Sequence, residues 1–311
     1  MAAGSLPQGA AGLFADPVIA SDDITVTTDD GASLHVRCSG SPEAPHIVLI
    51  HGFAARIEYW NPQINALAEK YRIIAYDQRL SGRSVPGRRA TRPEVLGDDL
   101  AAVLAATIPT GRTAVIVGHS FGGITVMAWA MRHPEQVRRY ARAVLLANTV
   151  AERCESYIAV LPFPGRFLVV RRLLCGAVVL LPPLAVYRRL FQAAVLSRAA
   201  SREAVAFTEA VVKACPARAR LDWWRALVRL DVTAGLANLS VPTTVLTADR
   251  DRLTPPPASE PIVAALCARG ALDRQVMLSG VGHCSNIEDP RRFNAEIARL
   301  VQLSNDRTKA S

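Results

Sequence analysis

Lysine is almost missing from this chain. It occurs only at Lys70, Lys213 and Lys309 among 311 residues, so arginine carries the net charge of +9. No nucleic-acid-binding motif accompanies the arginines, so the excess reads as compositional and no nucleic-acid partner is expected. Cysteine is scattered: Cys38, Cys154, Cys175, Cys215, Cys267 and Cys284 form no Cys-x-x-Cys pair and have no histidines at zinc spacing. That excludes a disulfide framework and a structural zinc site, and it favours reduced thiols in a cytoplasmic setting. No metal and no cofactor is expected. No apolar run approaches the ~18 residues of a membrane span. Met1 to Pro17 holds no basic residue and no long apolar core, so a flexible lead-in over residues 1–20 is expected rather than a secretory signal. There is no internal repeat.

What the chain does have is apolar bulk. Half of its residues are hydrophobic, enough to bury a large core without staples. The rest is organised around Thr113 to Ala130. The β-branched run Thr113 to Val117 reads as a buried strand, and Ile124 to Met131 as a buried helix. Between them stands Gly118-His119-Ser120-Phe121-Gly122, a G-x-S-x-G pattern followed by Gly123. Composition alone yields that pattern in roughly one chain in ten of this length. Its weight comes from its setting, because a strand that reverses into a helix within about four residues strains its central residue and needs neighbours with almost no side chain. The turn would hold the Ser120 hydroxyl at the carboxyl edge of a sheet and the amino end of a helix, where negative charge is favoured.

Read in order, the chain alternates strands and helices. Ile24 to Thr28 and Ser33 to Cys38 flank Asp29-Asp30-Gly31 as a hairpin. Strands follow at His46 to Ile50, Tyr71 to Tyr76, Thr113 to Val117 and Arg142 to Ala147, with helices at Tyr59 to Lys70 and Pro93 to Thr107. Ala151 to Asp231 breaks the alternation with helical fragments interrupted by prolines. It resumes with strands at Thr243 to Thr247 and Arg274 to Leu278 and helices at Ala258 to Ala268 and Pro290 to Leu303. The expected fold is α/β: a mostly parallel sheet with helices on both faces, an antiparallel edge and an inserted helical segment. Its parts are a first core segment (21–150), an insertion (151–235), a second core segment (236–305) and a flexible tail (306–311).

A nucleophilic serine needs a base and an acid that orients the base. In such sheets these groups stand in loops after strands. Asp251 follows the strand at Thr243, and His283 follows the strand at Arg274 in Gly282-His283-Cys284. The order Ser120, Asp251, His283 is the one expected with this elbow. Asp249 is the rival acid. His119 is expected to pack under the elbow and His51 to shape its loop. His35, His46 and His133 read as surface or edge residues.

At this point the chain resembles the α/β-hydrolase superfamily, from about Ile24 to Leu303. The matching segments are His51-Gly52-Phe53, Asp77-x-Arg79-x-x-Gly82-x-Ser84, Gly118-x-Ser120-x-Gly122-Gly123, Asp251-x-x-x-Pro255 and Gly282-His283-x-x-x-x-Glu288-x-Pro290. The resemblance implies Ser120 as nucleophile, His283 as base then acid, and Asp251 as orienting carboxylate, the spacing to Pro255 favouring it over Asp249. The other family position for the acid is near Asn148, which cannot serve. The oxyanion hole would be the backbone N–H groups of Phe53 and Phe121, whose side chains are free to line the substrate pocket. Asp77 and Arg79 would brace the structure.

The resemblance also makes the insertion a helical cap that selects substrate. Residues 152–231 hold 13 basic and six acidic side chains, most of the net charge, together with the apolar run Leu161 to Leu181. Two readings follow: amphipathic helices whose arginines reach solvent, or a surface that meets an acyl chain, an anionic membrane or an acyl carrier. The expected function is cleavage of a carboxylic ester of a hydrophobic substrate through an acyl-enzyme. The alternatives are an acyl thioesterase on a carrier or coenzyme A and a non-catalytic ligand-binding protein.

Overall fold

The computed structural model describes residues 10–157 and 188–309. The run Leu161 to Leu181, with Pro162, Pro164 and Cys175, lies outside the described residues, as do Pro182 and Pro183. At the centre are eight strands: β1 (Ser21–Thr27), β2 (Ser33–Ser39), β3 (His46–Ile50), β4 (Arg72–Tyr76), β5 (Ala114–His119), β6 (Ala141–Ala147), β7 (Thr243–Ala248) and β8 (Leu272–Leu278). Every residue of β3 and of β5 is buried. Side chains alternate between the two faces of a strand, so an unbroken apolar run requires both faces to be covered. Val48, Ile50 and Ile116 pack with helices Pro93–Thr107 and Phe121–Arg132. Ile47, Leu49, Val115 and Val117 pack on the other side, with helices Asn61–Leu67 and Pro290–Lys309.

The strand order is β1-β2-β4-β3-β5-β6-β7-β8. From β4 to β8 all pairings are parallel. β2 runs against both of its neighbours, which is the antiparallel edge read from the opening hairpin. The chain leaves β3 for β4 on one side and returns to β5 on the other. The loops after β3 and β5 therefore diverge and open a crevice at the carboxyl edge.

The hairpin turn is tied to the body by a buried ion cluster. Arg79, 1% exposed, meets the carboxylate of Asp30 at 2.7 and 3.0 Å and that of Asp99 at 2.7 and 2.9 Å. Asp77 accepts hydrogen bonds from the N–H groups of Ile57 and Arg83. Both residues are braces, in line with the reading of that loop.

Some elements differ from the sequence reading. The helix expected over Tyr59 to Lys70 is a 3-10 turn, Ile57–Trp60, followed by Asn61–Leu67, with Pro62 in its first turn. A further helix, Pro134–Tyr140, opens with proline and Glu135 and closes with Arg138 and Arg139, which are ordinary start and stop signals. Within the expected lead-in, Ala10–Phe14 is helical. The Asn65 amide donates to the carbonyls of Leu13 and Ala15, and Phe14 stacks on Phe207 with ring centroids 4.9 Å apart. The last helix continues to Lys309, into the expected tail. His46 is buried at the start of an interior strand rather than exposed, and the His35 ring sits 3.0 Å from Asp77.

Between β6 and β7 the regular elements among the described residues are helices: Cys154–Tyr157, Arg188–Val195, Arg202–Lys213, Ala217–Leu227 and Thr233–Leu236. A bridge between Glu152 and Asp231 brings the two ends of this inserted segment together. No described helix is long and apolar enough to cross a membrane.

Arg79→Met leaves two buried carboxylates without their cation. The expected loss is about 3–5 kcal/mol of unfolding free energy, read from the urea midpoint. A loss below about 1 kcal/mol would show that the cluster does not brace the fold.

Candidate active site

Ser120 directly follows β5 and caps the helix Phe121–Arg132 with φ 54° and ψ −115°, a conformation that L-residues rarely adopt. The glycines around it are required by space. A Cβ on Gly122 would lie 2.0 Å from the Ile50 carbonyl oxygen, and one on Gly118 2.5 Å from that of Gly122. The Ser120 N–H donates to the Ala147 carbonyl at 2.8 Å, and the Thr149 hydroxyl donates to the Ser120 carbonyl at 2.7 Å. The half-buried side chain is thereby turned out over the sheet edge.

His283 Nε2 stands 2.9 Å from Ser120 Oγ, and His283 Nδ1 stands 2.9 Å from Asp251 Oδ2. Both residues are almost fully buried. Asp251 Oδ1 accepts from the N–H groups of Leu253 and Thr254, and its Oδ2 from the Thr254 hydroxyl and the Asn148 amide. Burial alone would raise this carboxyl's pKa. Electrostatic attraction to His283 and the bonds from His283 and Thr254 outweigh burial and hold it well below the usual range. An ionised Asp251 makes Nδ1 the protonated nitrogen of a neutral His283, which leaves Nε2 as the acceptor for the serine proton.

The rival acid faces elsewhere: Asp249 Oδ1 accepts the Gly280 N–H at 2.7 Å, and its other oxygen pairs with Arg250. Asn148 lies at the alternative family position for the acid and touches Asp251 directly, while its own oxygen accepts from the Ser285 hydroxyl at 2.6 Å. Thr254 belonged to the motif segment before Pro255, but its role was not readable from spacing.

The loop after β3 lies against the elbow. A Cβ on Gly52 would sit 3.5 Å from Ser120 Cβ. The Gln78 N–H donates to His51 Nε2, so His51 Nδ1 carries the proton it gives to the Gly52 carbonyl at 2.8 Å. This histidine shapes the loop as expected. Among the described residues, the backbone N–H groups of Phe53 and Phe121 have no hydrogen-bond acceptor. Their rings meet edge to face at 6.3 Å, and Phe121 meets Trp223 of the inserted segment at 5.0 Å. The result is an aromatic wall beside two unpaired donors. Among the described residues no group of three His, Cys, Asp or Glu side chains is arranged to hold a metal ion.

The model of the Alpha/beta hydrolase family matches residues 47–296. A protein of Escherichia coli O157:H7 named for carbamate hydrolysis, RutD, is 30% identical over 262 residues, which cover 81% of this chain and 90% of that one. A hydrolase of Pseudomonas aeruginosa, solved by crystallography, is 25% identical with a TM-score of 0.71, covering 90% of this chain and 98% of its own. An esterase of Thermogutta terrifontis shares the fold at 21% identity and a TM-score of 0.70, covering 91% and 99%.

The depressed Asp251 pKa has a consequence for acid stability. A carboxylate whose folded pKa lies below the unfolded value of about 3.9 contributes stability that is present above that pH. The contribution is lost as pH falls through the folded pKa. Asp251→Asn is expected to flatten the fall of the urea midpoint below about pH 4. A variant that keeps the wild-type acid slope would show that this carboxylate is not depressed.

Proposed function

Because the chain belongs to the alpha/beta hydrolase family and is a hydrolase, we propose that it cleaves a carboxylic ester of a hydrophobic substrate through an acyl-enzyme on Ser120. The observation that carries this reading is the unbroken line Ser120 Oγ, His283 Nε2, His283 Nδ1 and Asp251 Oδ2, with 2.9 Å at each junction between side chains. As Ser120 Oγ attacks the carbonyl carbon, His283 Nε2 takes its proton and the ionised Asp251 stabilises the resulting imidazolium. The oxyanion of the tetrahedral intermediate would accept from the Phe53 and Phe121 N–H groups, a role supported by their having no acceptor among the described residues. Collapse expels the alkoxide, which takes the proton from His283. Water then attacks the acyl-enzyme with His283 again as base, and the carboxylic acid leaves. The wall of Phe53, Phe121 and Trp223 suits an apolar substrate.

Two other bonds suit the same machinery. The relatives named for carbamate hydrolysis favour a carbamate carbonyl. The 13 basic against six acidic side chains of residues 152–231 favour a thioester on an acidic carrier or on coenzyme A, with this segment as a cap that meets an acyl carrier or an anionic membrane. The proposed setting is cytoplasmic.

A fluorophosphonate probe is expected to label the wild type at Ser120, and Ser120→Ala is expected to abolish labelling and lower kcat by about 10⁴ or more. An unlabelled wild type would end the acyl-enzyme reading in favour of a ligand-binding role. Initial rates on p-nitrophenyl esters of rising chain length, on acyl thioesters and on aryl carbamates then rank the bond cleaved. Flotation with anionic liposomes at low salt tests the membrane contact.

A further inference from the structure

The mechanism leaves His119 idle, although this residue occupies the position immediately before the nucleophile and is 1% exposed. Its surroundings account for both ring nitrogens. Nε2 is 2.8 Å from the backbone carbonyl oxygen of His283, and Nδ1 is 3.1 Å from the Tyr59 hydroxyl. A carbonyl oxygen can only accept, so the proton is on Nε2. In a neutral imidazole Nδ1 is then a lone pair, so Tyr59 must donate. Tyr59 is itself buried, with the Cys284 thiol beside its hydroxyl, and burial raises its pKa well above the ordinary phenol value. It therefore keeps the proton it gives. Burial first, and then the charge of His283, hold the His119 pKa down to about 3. Also around the ring are Trp60 edge-on at 6.5 Å and the His283 ring at 5.1 Å, with Gly52 against Nδ1, while the Asp251 carboxylate favours and His51 opposes a charge on it. A residue that merely filled space would not need a donor and an acceptor matched at opposite ends of its ring.

We infer that His119, held by Tyr59 in its Nε2–H tautomer, is a positioning residue that anchors the His283 backbone so that the His283 ring keeps its alignment between Asp251 and Ser120. The chain Tyr59 O–H, His119 Nδ1, His119 Nε2–H and His283 C=O runs beneath the reacting atoms and touches none of them. His283 is gripped on both sides of its peptide, because its carbonyl also accepts the Ser285 N–H at 2.9 Å and the Cys284 N–H donates to the Val195 carbonyl at 3.0 Å. Without the anchor the imidazole can drift, and a displacement of about 1 Å costs on the order of 10²-fold in rate. The neutral state matters as well, since a cationic His119 beside His283 would oppose the imidazolium formed in each half-reaction.

The test compares His119→Met, which keeps volume and loses the donor, with His119→Gln, whose amide can reach the same carbonyl. Rates are normalised to the sites titrated by fluorophosphonate, so loss of folded protein does not count as loss of function. His119→Met is expected to lower kcat about 10–100-fold with KM within about threefold, and to shift the acid limb of the kcat/KM profile. His119→Gln is expected to recover most of the rate. Wild-type kcat and an unmoved limb in His119→Met, or a His119→Gln no better than His119→Met, would overturn the inference. The kinetic arm rests on the serine-hydrolase reading. Ring spectra of ¹⁵N-histidine protein do not, and they are expected to show His119 neutral and protonated at Nε2 from about pH 5 to pH 9. A His119 that titrates in that range, or carries its proton on Nδ1, overturns the inference whatever the enzyme cleaves.

Discussion

The backbone of Ser120 is held where an L-residue does not rest by choice, and the rest of the site is arranged around that constraint. A positive φ at a non-glycine residue costs about 1–3 kcal/mol and survives only where its surroundings determine it. Here they do. β5 is paired on both sides, by β3 and β6, and all of its side chains are buried. The helix that follows is pressed against the end of β3, with Gly122 almost touching the Ile50 carbonyl. Neither element can retreat, so the turn between them has one solution. The strain is local and the packing that sustains it is spread through the sheet. For that reason the half-buried hydroxyl stands at the edge while the strand residues before it are buried.

Steric necessity is also why this part of the molecule was legible in the sequence. Three glycines around a serine, between a β-branched run and an apolar helix, admit few backbone paths. The glycines and prolines flanking Asp251 and His283 likewise marked strand-to-loop junctions whose edge is fixed by parallel topology. The supporting contacts were not legible, because they depend on which polar atoms face one another across long sequence distances. Thr254 and Asn148 reach Asp251, and Tyr59 reaches His119, through the accident of packing rather than through spacing. His46 failed in the opposite sense, since a lone histidine at a strand end gives no sign of the strands that cover it. The helix Pro134–Tyr140 had adequate signals but is short and largely polar, so its apolar period is faint.

The charges divide along the same line. Arg79 and Asp77 lie in one loop, yet each organises a different layer: the arginine joins the hairpin turn to the helix Pro93–Thr107, and the aspartate caps the 3-10 turn that carries Tyr59. The Trp223 indole N–H donates to the Arg79 carbonyl at 2.9 Å. A residue of the aromatic wall is thus fixed to the buried ion cluster. Structural charge and pocket shape are coupled through one peptide unit, so the brace loop takes part in the site without entering its chemistry.

The inserted segment is coupled to the base in a similar way. Glu288, inside the motif that carries His283, accepts the Gly282 N–H with one oxygen and the Ser197 N–H with the other, both at 2.9 Å. Burial pushes its pKa up against those two bonds. A half-buried carboxylate that loses a hydrogen-bond donor forfeits up to about 1.5–3 kcal/mol. Displacing Ser197 would therefore be felt at Gly282, one residue from the imidazole. The Cys284 N–H to Val195 bond repeats the connection on the other side of His283. The end of the inserted segment and the loop of the base thus form one hydrogen-bonded unit. Any motion that opened the crevice at this point would have to carry the His283 loop with it or give up two sets of buried contacts at once. The geometry of the base is consequently a property of both segments together rather than of the loop alone.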